Sequence, residues 1–289
     1  RGVLLAAGGF EHNDDMRARY GVPGASRDTM GPWSNRGLAH LAGIAAGADT
    51  DLMDQAWWSP GLIHPDGSAA FALWFTGGIF VDDQGRRFVN ESTAYDRLGR
   101  AVLAAMADGS VTLPYWMVYD DSEGGVPPVK APNVSLVETE KYVTAGLWRT
   151  AETLEELAVA IGVPQENLVE TVARFNDFAR RGVDEDFGRG DEPYDRAFSG
   201  GAPPLYPIER PPFHAAAFGV CDLGTKGGLR TDNAARVLDT AGRVIPGLYA
   251  AGNTMAAPSG TTYPGGGNPI GTSMVFSHLA ALHMASGRA

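Results

Sequence analysis

Tyr263 is the one phenol in a run of glycines, Gly260-Thr261-Thr262-Tyr263-Pro264-Gly265-Gly266-Gly267-Asn268-Pro269-Ile270-Gly271. Glycines carry no Cβ, so the backbone here can come close to a ligand. A helix beginning near Asn268 would aim unbonded N–H groups at the same place. A turn that needed only flexibility would not require an aromatic ring. The combination suits a place where a flat, polar-edged cofactor meets a substrate. Pro followed by Gly-Gly-Gly also reads as a plain surface loop, and what favours the first reading is the setting. Gly247-Leu248-Tyr249-Ala250-Ala251-Gly252-Asn253 reads as a strand before the glycines, and the apolar run 272–285 reads as a helix after them. Other site chemistries find less support. None of the six histidines (His12, His40, His64, His214, His278, His283) falls in a metal pattern, and His278 and His283 are out of helical register for one site. Cys221 is the sole cysteine, which excludes an intrachain disulfide and a cysteine metal site.

A chain of 289 residues, 44% hydrophobic and 20% charged, is ordinary for a globular protein of one or two domains. The net charge of −11 and the lack of a Lys/Arg cluster argue against nucleic acid and anionic membranes as partners. No apolar run reaches the roughly 20 residues of a membrane span. A single thiol fits a reducing, cytoplasmic compartment.

The elements that must position the glycine loop read as follows. Val3-Leu4-Leu5-Ala6 is a short apolar run ending in Gly8-Gly9, which suits a strand covered on both faces. Residues 35–48 read as a helix of small residues. A new segment starts at Gln55-Ala56-Trp57-Trp58. In it, 79–81 and 86–89 read as a hairpin, 96–107 as a helix and 113–119 as a strand. Thr153-Leu154-Glu155-Glu156 is a capping box. Pro164 opens a second helix whose Leu168, Val172, Phe175 and Phe178 form one apolar face. The prolines from Pro203 to Pro212 mark a return connection, followed by strands at 236–238 and 247–253. The predicted architecture is an α/β flavin-binding (Rossmann-like, incomplete) domain, 1–55 with 221–289, and an inserted α+β catalytic domain, 56–220. A split domain with an insert often binds its ligand at the junction. The chain opens inside an apparent core strand, with no Met and no leading cap, so a larger N-terminal part is expected upstream of Arg1.

Several motifs in order carry a family resemblance. They are Gly8-Gly9-Phe10-Glu11, Met53-Asp54-Gln55-Ala56-Trp57-Trp58, Arg87-Phe88-Val89-Asn90-Glu91-Ser92, Asp186-Phe187-Gly188-Arg189-Gly190-Asp191, Asp222-Leu223-Gly224-Thr225-Lys226-Gly227-Gly228-Leu229 and Thr262-Tyr263-Pro264-Gly265. Together they resemble the fumarate reductase/succinate dehydrogenase-type flavoproteins, and within them the 3-ketosteroid Δ1-dehydrogenases. The resemblance covers nearly the whole chain. It implies FAD as cofactor, a steroid substrate and an external electron acceptor. It implies a reaction in which a base takes a proton from carbon 2 and flavin N5 takes a hydride from carbon 1.

By that resemblance, Tyr95 is the base, while the Tyr263 phenol and the Gly267 N–H polarise the 3-keto oxygen. Ala7, Gly8, Gly9, Gly252, Asn253, Asn268, Pro269 and Ile270 would contact the flavin, and Phe71, Tyr263 and Pro264 the steroid. Each role has a plainer counterpart. Tyr95 also reads as a hairpin-end tyrosine packed on the insert, Tyr263 as a buried phenol bonding a loop carbonyl, and Phe71 as simple core. The family has Pro where Gly266 stands and Ala-Thr at Asn268-Pro269, which alters the loop beside the flavin ring. Gly-x-Gly-x-x-Gly with an acidic residue about 20 further on, the ADP-binding fingerprint, is missing. The chain alone is therefore expected to hold FAD weakly. Three other readings remain: a 4-ene-forming ketosteroid dehydrogenase, a fumarate reductase-like flavoprotein, and a non-catalytic truncated remnant. The Tyr263 loop lacks the Arg and His needed to grip two carboxylates, which ranks the fumarate reading lower.

Overall fold

The computed structural model describes residues 2–129, 138–197 and 199–286. In chain order the elements are β1 (Val3–Leu5), α1 (Asp14–Tyr20), α2 (Leu38–Ala45), β2 (Thr50–Asp51), β3 (Ala56–Ile63), β4 (Ala69–Phe71), β5 (Ile79–Val81), α3 (Tyr95–Ala107), β6 (Tyr115–Asp120), α4 (Thr139–Thr144), β7 (Trp148–Ala151), α5 (Leu154–Ile161), α6 (Gln165–Arg181), α7 (Pro193–Arg196), β8 (Phe213–Thr225), β9 (Gly228–Leu229), β10 (Arg236–Leu238), β11 (Val244–Ala250) and α8 (Asn268–Ser286). They divide into two compact units, Arg1–Trp57 with Asp222–Ala289, and Trp58–Cys221. The chain passes from one to the other within β3 and β8.

In the first unit β1 lies parallel to β11, with Leu5 opposite Ala250, and β10 runs antiparallel on the other side. The apolar runs at both ends of the chain thus meet in one sheet. Its core is Ala48, Leu229, Val237, Ala250 and Met255, with Leu5, Ile44 and Phe276 packed on it. β11 continues through Pro246-Gly247, where the sequence suggests a break. Pro246 cannot donate to a ladder but is exposed there, and the β10 register shifts between Arg236 and Leu238. α8 is 19 residues long, yet Ala280 is its one buried residue. Ile270, Met274, Val275 and Leu282 on it are 70%, 68%, 54% and 54% exposed, and Val3 on β1 is 59% exposed. No helix among the described residues is long and apolar enough to cross a membrane.

The second unit is built on a sheet ordered β4-β3-β8-β6-β5, with β7 also on β8. Residues 214–222 of β8 are all buried. Such a strand has neither alternation nor helical spacing, so the sequence does not announce it. The expected hairpin reduces to a turn. Residues 79–81 pair with β6 instead, and 86–89 contribute one bridge, Val81 to Arg87. The Asp82 carboxylate accepts from the Gln84 and Arg86 amides, which closes that turn without a second strand. The capping box forms in part. Thr153 Oγ accepts from the Glu156 amide at 3.2 Å, while the Glu156 carboxylate takes the Glu152 amide. Leu157, Leu168, Val172 and Phe175 of α5 and α6 cover Ile79, Val118 and Ala215 of the sheet.

Candidate functional site

Tyr95 and Phe71 belong to the second unit, and the other sequence-predicted site residues belong to the first. Tyr95 is the first residue of α3, not the end of a hairpin. That helix lies tight on β3 because Gly99 has no side chain. A Cβ there would stand 2.7 Å from both the Ser59 amide nitrogen and Trp58 Cβ. Asp96 accepts from the Trp58 amide at 3.1 Å and from Arg100 Nε at 2.9 Å, which fixes the helix start against the strand. The Tyr95 ring meets Phe71 edge-on, with centroids 5.1 Å apart and planes at 80°. Phe71 ends β4 and is 8% exposed.

Immediately before Tyr95 lies a buried charge cluster. Arg87 donates to Glu91 (3.0 and 2.8 Å) and to Asp184 (3.1 and 3.0 Å), while Arg189 Nη1 reaches Glu91 at 3.1 Å and the Gly78 carbonyl at 2.7 Å. Glu91 Oε1 also accepts from the Phe80 amide at 3.1 Å. The Phe175 ring lies under both guanidiniums, 4.8 Å from Arg87 and 5.7 Å from Arg189. Burial works against the Arg87 charge, but Glu91 and Asp184 outweigh it and hold its pKa above the ordinary value. For Arg189 burial wins over Glu91, and its pKa is lowered. Asp184 is desolvated too, yet its hydrogen bonds to Arg87 carry it below the usual carboxylate range. The sequence quotes Arg87 and Glu91 only as part of a motif. Their spacing of four residues was the available signal, but a helix-like pair says nothing about Asp184 or Arg189, about a hundred residues away.

In the first unit the C-terminal ends of two parallel strands converge. The Ala251 amide donates to the Leu5 carbonyl at 3.1 Å. Thr254 Oγ1 accepts from the Ala7 amide at 3.0 Å and donates to the Gly8 carbonyl at 2.8 Å. Ala7, Gly8, Gly9, Gly252 and Asn253 therefore share one end of the sheet, where open α/β sheets bind ligands. Ser273 Oγ lies 3.1 Å from where a side chain on Gly252 would begin, which brings the first turns of α8, with Asn268, Pro269 and Ile270, to the same end. The Asn268 Nδ2 is buried without a hydrogen-bond partner among the described residues. Beneath them, buried His40 Nε2 lies 3.2 Å from the Gly227 carbonyl and 3.1 Å from that of Asn253, and burial lowers its pKa. Glu11 accepts from Asn35 at 2.5 Å and from the Thr225 amide at 3.3 Å, and burial raises its pKa.

Tyr263 is 6% exposed and edge-on to Trp57, with centroids 6.3 Å apart. Trp57 Nε1 donates to Asn253 Oδ1 at 3.2 Å. The fully buried Lys226 places its ammonium 4.2 Å from the Trp57 ring centroid and donates to the Thr262 carbonyl at 2.8 Å. One lysine thus connects the loop residue before Tyr263 to the ring that faces Tyr263. Nothing in the sequence marks Lys226 apart from its place in a glycine-rich motif. Gly267, at φ +86, has a conformation that a side chain would strain, and a Cβ there would meet none of the described residues within 4 Å. Its carbonyl accepts from the Gly271 amide at 2.8 Å, while exposed Pro264 leads into the glycines. Among the described residues no group of three or more His, Cys, Asp or Glu is placed to hold a metal ion.

Comparison with known proteins places this geometry. A family model described as FAD binding domain matches residues 1–270. The 3-oxosteroid 1-dehydrogenase of Mycobacterium tuberculosis H37Rv is 41% identical over 99% of this chain and 53% of its own length. The 4-oxocyclohexanecarboxylate 2-dehydrogenase of Sinomonas cyclohexanicum is 36% identical over 96% of this chain and 50% of its own. The 3-ketosteroid Δ1-dehydrogenase of Sterolibacterium denitrificans, solved with 1,4-androstadiene-3,17-dione, superposes with a TM-score of 0.89 at 34% identity, over 100% of this chain and 54% of its own. The chain spans about half the length of the curated relatives it matches.

Proposed function

From a chain that belongs to the FAD binding domain family, with FAD as its cofactor, we propose the substrate- and ring-facing part of a 3-ketosteroid 1-dehydrogenase, an oxidoreductase of steroid breakdown. The observation that carries this reading is the seat of Tyr95, at the start of a helix with its ring against Phe71. A negatively charged side chain is favoured in the first turn of a helix. Tyr95 is the base that takes the proton from carbon 2. The Tyr263 hydroxyl and the Gly267 N–H donate to the 3-keto oxygen as it gains enolate character, an arrangement worth most in the transition state. Phe71, Tyr263 and Pro264 contact the steroid.

The residues fit the ring-bearing end of FAD. Among the described residues buried Asn268 Nδ2 lacks a partner, and a side chain begun at Gly265 or Gly267 would meet no atom within 4 Å. Ala7, Gly8, Gly9, Gly252, Asn253, Asn268, Pro269 and Ile270 would hold the cofactor. When bound, it supplies a hydride acceptor for carbon 1, and an external acceptor then takes up the electrons. The residues do not supply a fingerprint for the ADP end. A further polypeptide portion of the same fold would provide it, and the exposed apolar side chains of β1 and α8 suit that contact. The buried thiol of Cys221 fits a cytoplasmic setting.

The test supplies FAD in excess and mixes the protein anaerobically with a 3-ketosteroid. Visible flavin absorbance should bleach, with a product carrying a new 1,2 double bond. Bound steroid with an unbleached flavin, or a double bond formed elsewhere in the ring system, would refute the reading.

A further inference from the structure

The second unit contains a cavity that the reaction above leaves without a role. Its walls include Trp74, Tyr95, Tyr194 and Tyr206, and Ser92 and Asp195 are among the polar side chains that line it. Its free volume is about 30 Å³, room for one or two water-sized groups rather than for a steroid ring. Asp195 is 3% exposed. Its Oδ2 accepts from Asn90 Nδ2 and from the Gly190 amide, both at 2.9 Å. Among the described residues its Oδ1 is buried with no hydrogen-bond partner, and so is Ser92 Oγ. Buried polar atoms are nearly always satisfied, and an orphan in a native structure points to water, an ion or function. Here two orphans share one small cavity with the tyrosine read as the base. Trp74 and Tyr206 are 40% and 44% exposed, so the cavity walls extend to the surface of this unit.

We propose that Ser92 and Asp195 form a proton relay that connects Tyr95 to solvent. The inference rests on Tyr95 being the base. A phenol that takes a proton from carbon must lose its own. The C–H electron pair stays on the substrate as the enolate, and the carbon-2 proton bonds to the Tyr95 oxygen. The former phenolic proton passes through a cavity water or the Ser92 hydroxyl to Asp195 Oδ1, and from there to bulk water. Ser92 can donate and accept at once, whereas an ionised carboxylate only accepts, which gives the relay its direction. Asp195 and Ser92 act through Tyr95 and need not touch the steroid.

The relay is tested without flavin chemistry, by wash-in of deuterium from D₂O at carbon 2 of a 3-ketosteroid. With the relay intact, the abstracted proton escapes and solvent deuterium replaces it. With the relay cut, the same proton returns to carbon, so exchange slows while steroid affinity and melting temperature hold. Asp195→Asn should slow exchange about 10–100-fold, at or below the low end of the roughly 10²–10⁴-fold cost of a lost acid–base group. Ser92→Ala should slow it less, and among the described residues its hydroxyl makes no hydrogen bond to lose, so it decides the matter if Asp195→Asn does not fold. Tyr95→Phe is the control. Wild-type exchange that Tyr95→Phe abolishes but neither relay variant alters would overturn the relay and leave the base in place. Exchange that Tyr95→Phe leaves untouched would overturn the base and the relay together.

Discussion

The two tyrosines are seated in opposite ways. Tyr95 starts a regular helix that is pressed onto a strand at Gly99 and tied to it by the Asp96 carboxylate on the Trp58 amide. Tyr263 sits in a glycine loop where the buried Lys226 ammonium holds the Thr262 carbonyl, the Trp57 ring meets the phenol, and the Thr262 amide and hydroxyl bond back to the Ser259 carbonyl. The first seat is fixed by element packing and by the buried Asp96 carboxylate. The second is fixed by local loop contacts and one long-range ammonium rather than by a packed helix. A group that must meet a C–H bond needs a fixed direction, whereas donors to an oxygen tolerate a range of angles. The contrast predicts different failures for the two regions.

The largest effect should come from Tyr95→Phe. With FAD and steroid supplied, single-turnover flavin reduction should slow by roughly 10²–10⁴-fold while steroid binding persists. Tyr263→Phe should raise the barrier by roughly 2.7–4 kcal/mol, less any share that Gly267 retains, and should lower turnover more than affinity. A lower melting temperature with unchanged reduction in Tyr263→Phe would make that phenol a packing residue and erase the comparison.

Next comes Glu91→Gln, which keeps the shape and leaves two buried guanidiniums short of a carboxylate. Breaking a buried pair costs roughly 3–5 kcal/mol, to be read as a lower melting temperature. An unchanged melting temperature would show that the cluster adds nothing to the stability of the second unit. Lys226→Met should cost less, about 1–3 kcal/mol for the carbonyl left without its donor. Its signature should be local, as faster amide exchange over residues 260–267 with residues 91–105 unaffected. Equal exchange in both regions would mean that the loop is not held by Lys226.

The smallest effect is pH. Burial lowers the pKa of His40 below its ordinary value of 6.5, so the folded state resists a proton that the unfolded chain accepts. Its contribution is present above pH 6.5 and is lost as pH falls from there through the folded pKa, by at most about 1.4 kcal/mol per pH unit. His64 is lowered by burial in the same sense, with a weaker effect because solvent screens it more. Glu11, raised by burial from 4.5, works oppositely: its contribution is present below that value and is lost as pH rises. Denaturant unfolding at about pH 7 and pH 5.5 should show a smaller loss in His40→Gln than in the wild type. Equal slopes would exclude His40 as the group responsible.

The sequence by itself determined what local spacing can determine. The capping box at Thr153, the apolar face Leu168-Val172-Phe175-Phe178, the helix beginning near Asn268 and a strand through Leu248-Tyr249-Ala250 all follow from neighbouring residues. Ordered motifs also made the α/β flavin-binding class legible. Tertiary structure alone decided the rest, because those features join residues far apart in the chain. β8 is buried on both faces and so carries no period. β5 took β6 as its partner because Asp82 closed the local turn with side-chain bonds instead of a second strand. Arg189, Asp195 and Lys226 look like surface charges in sequence, since a charged residue is rarely buried without partners. Their partners, Glu91, Asn90 and the Thr262 carbonyl, lie 98, 105 and 36 positions away. Spacing along a chain cannot express a contact at that distance; only the packed fold does.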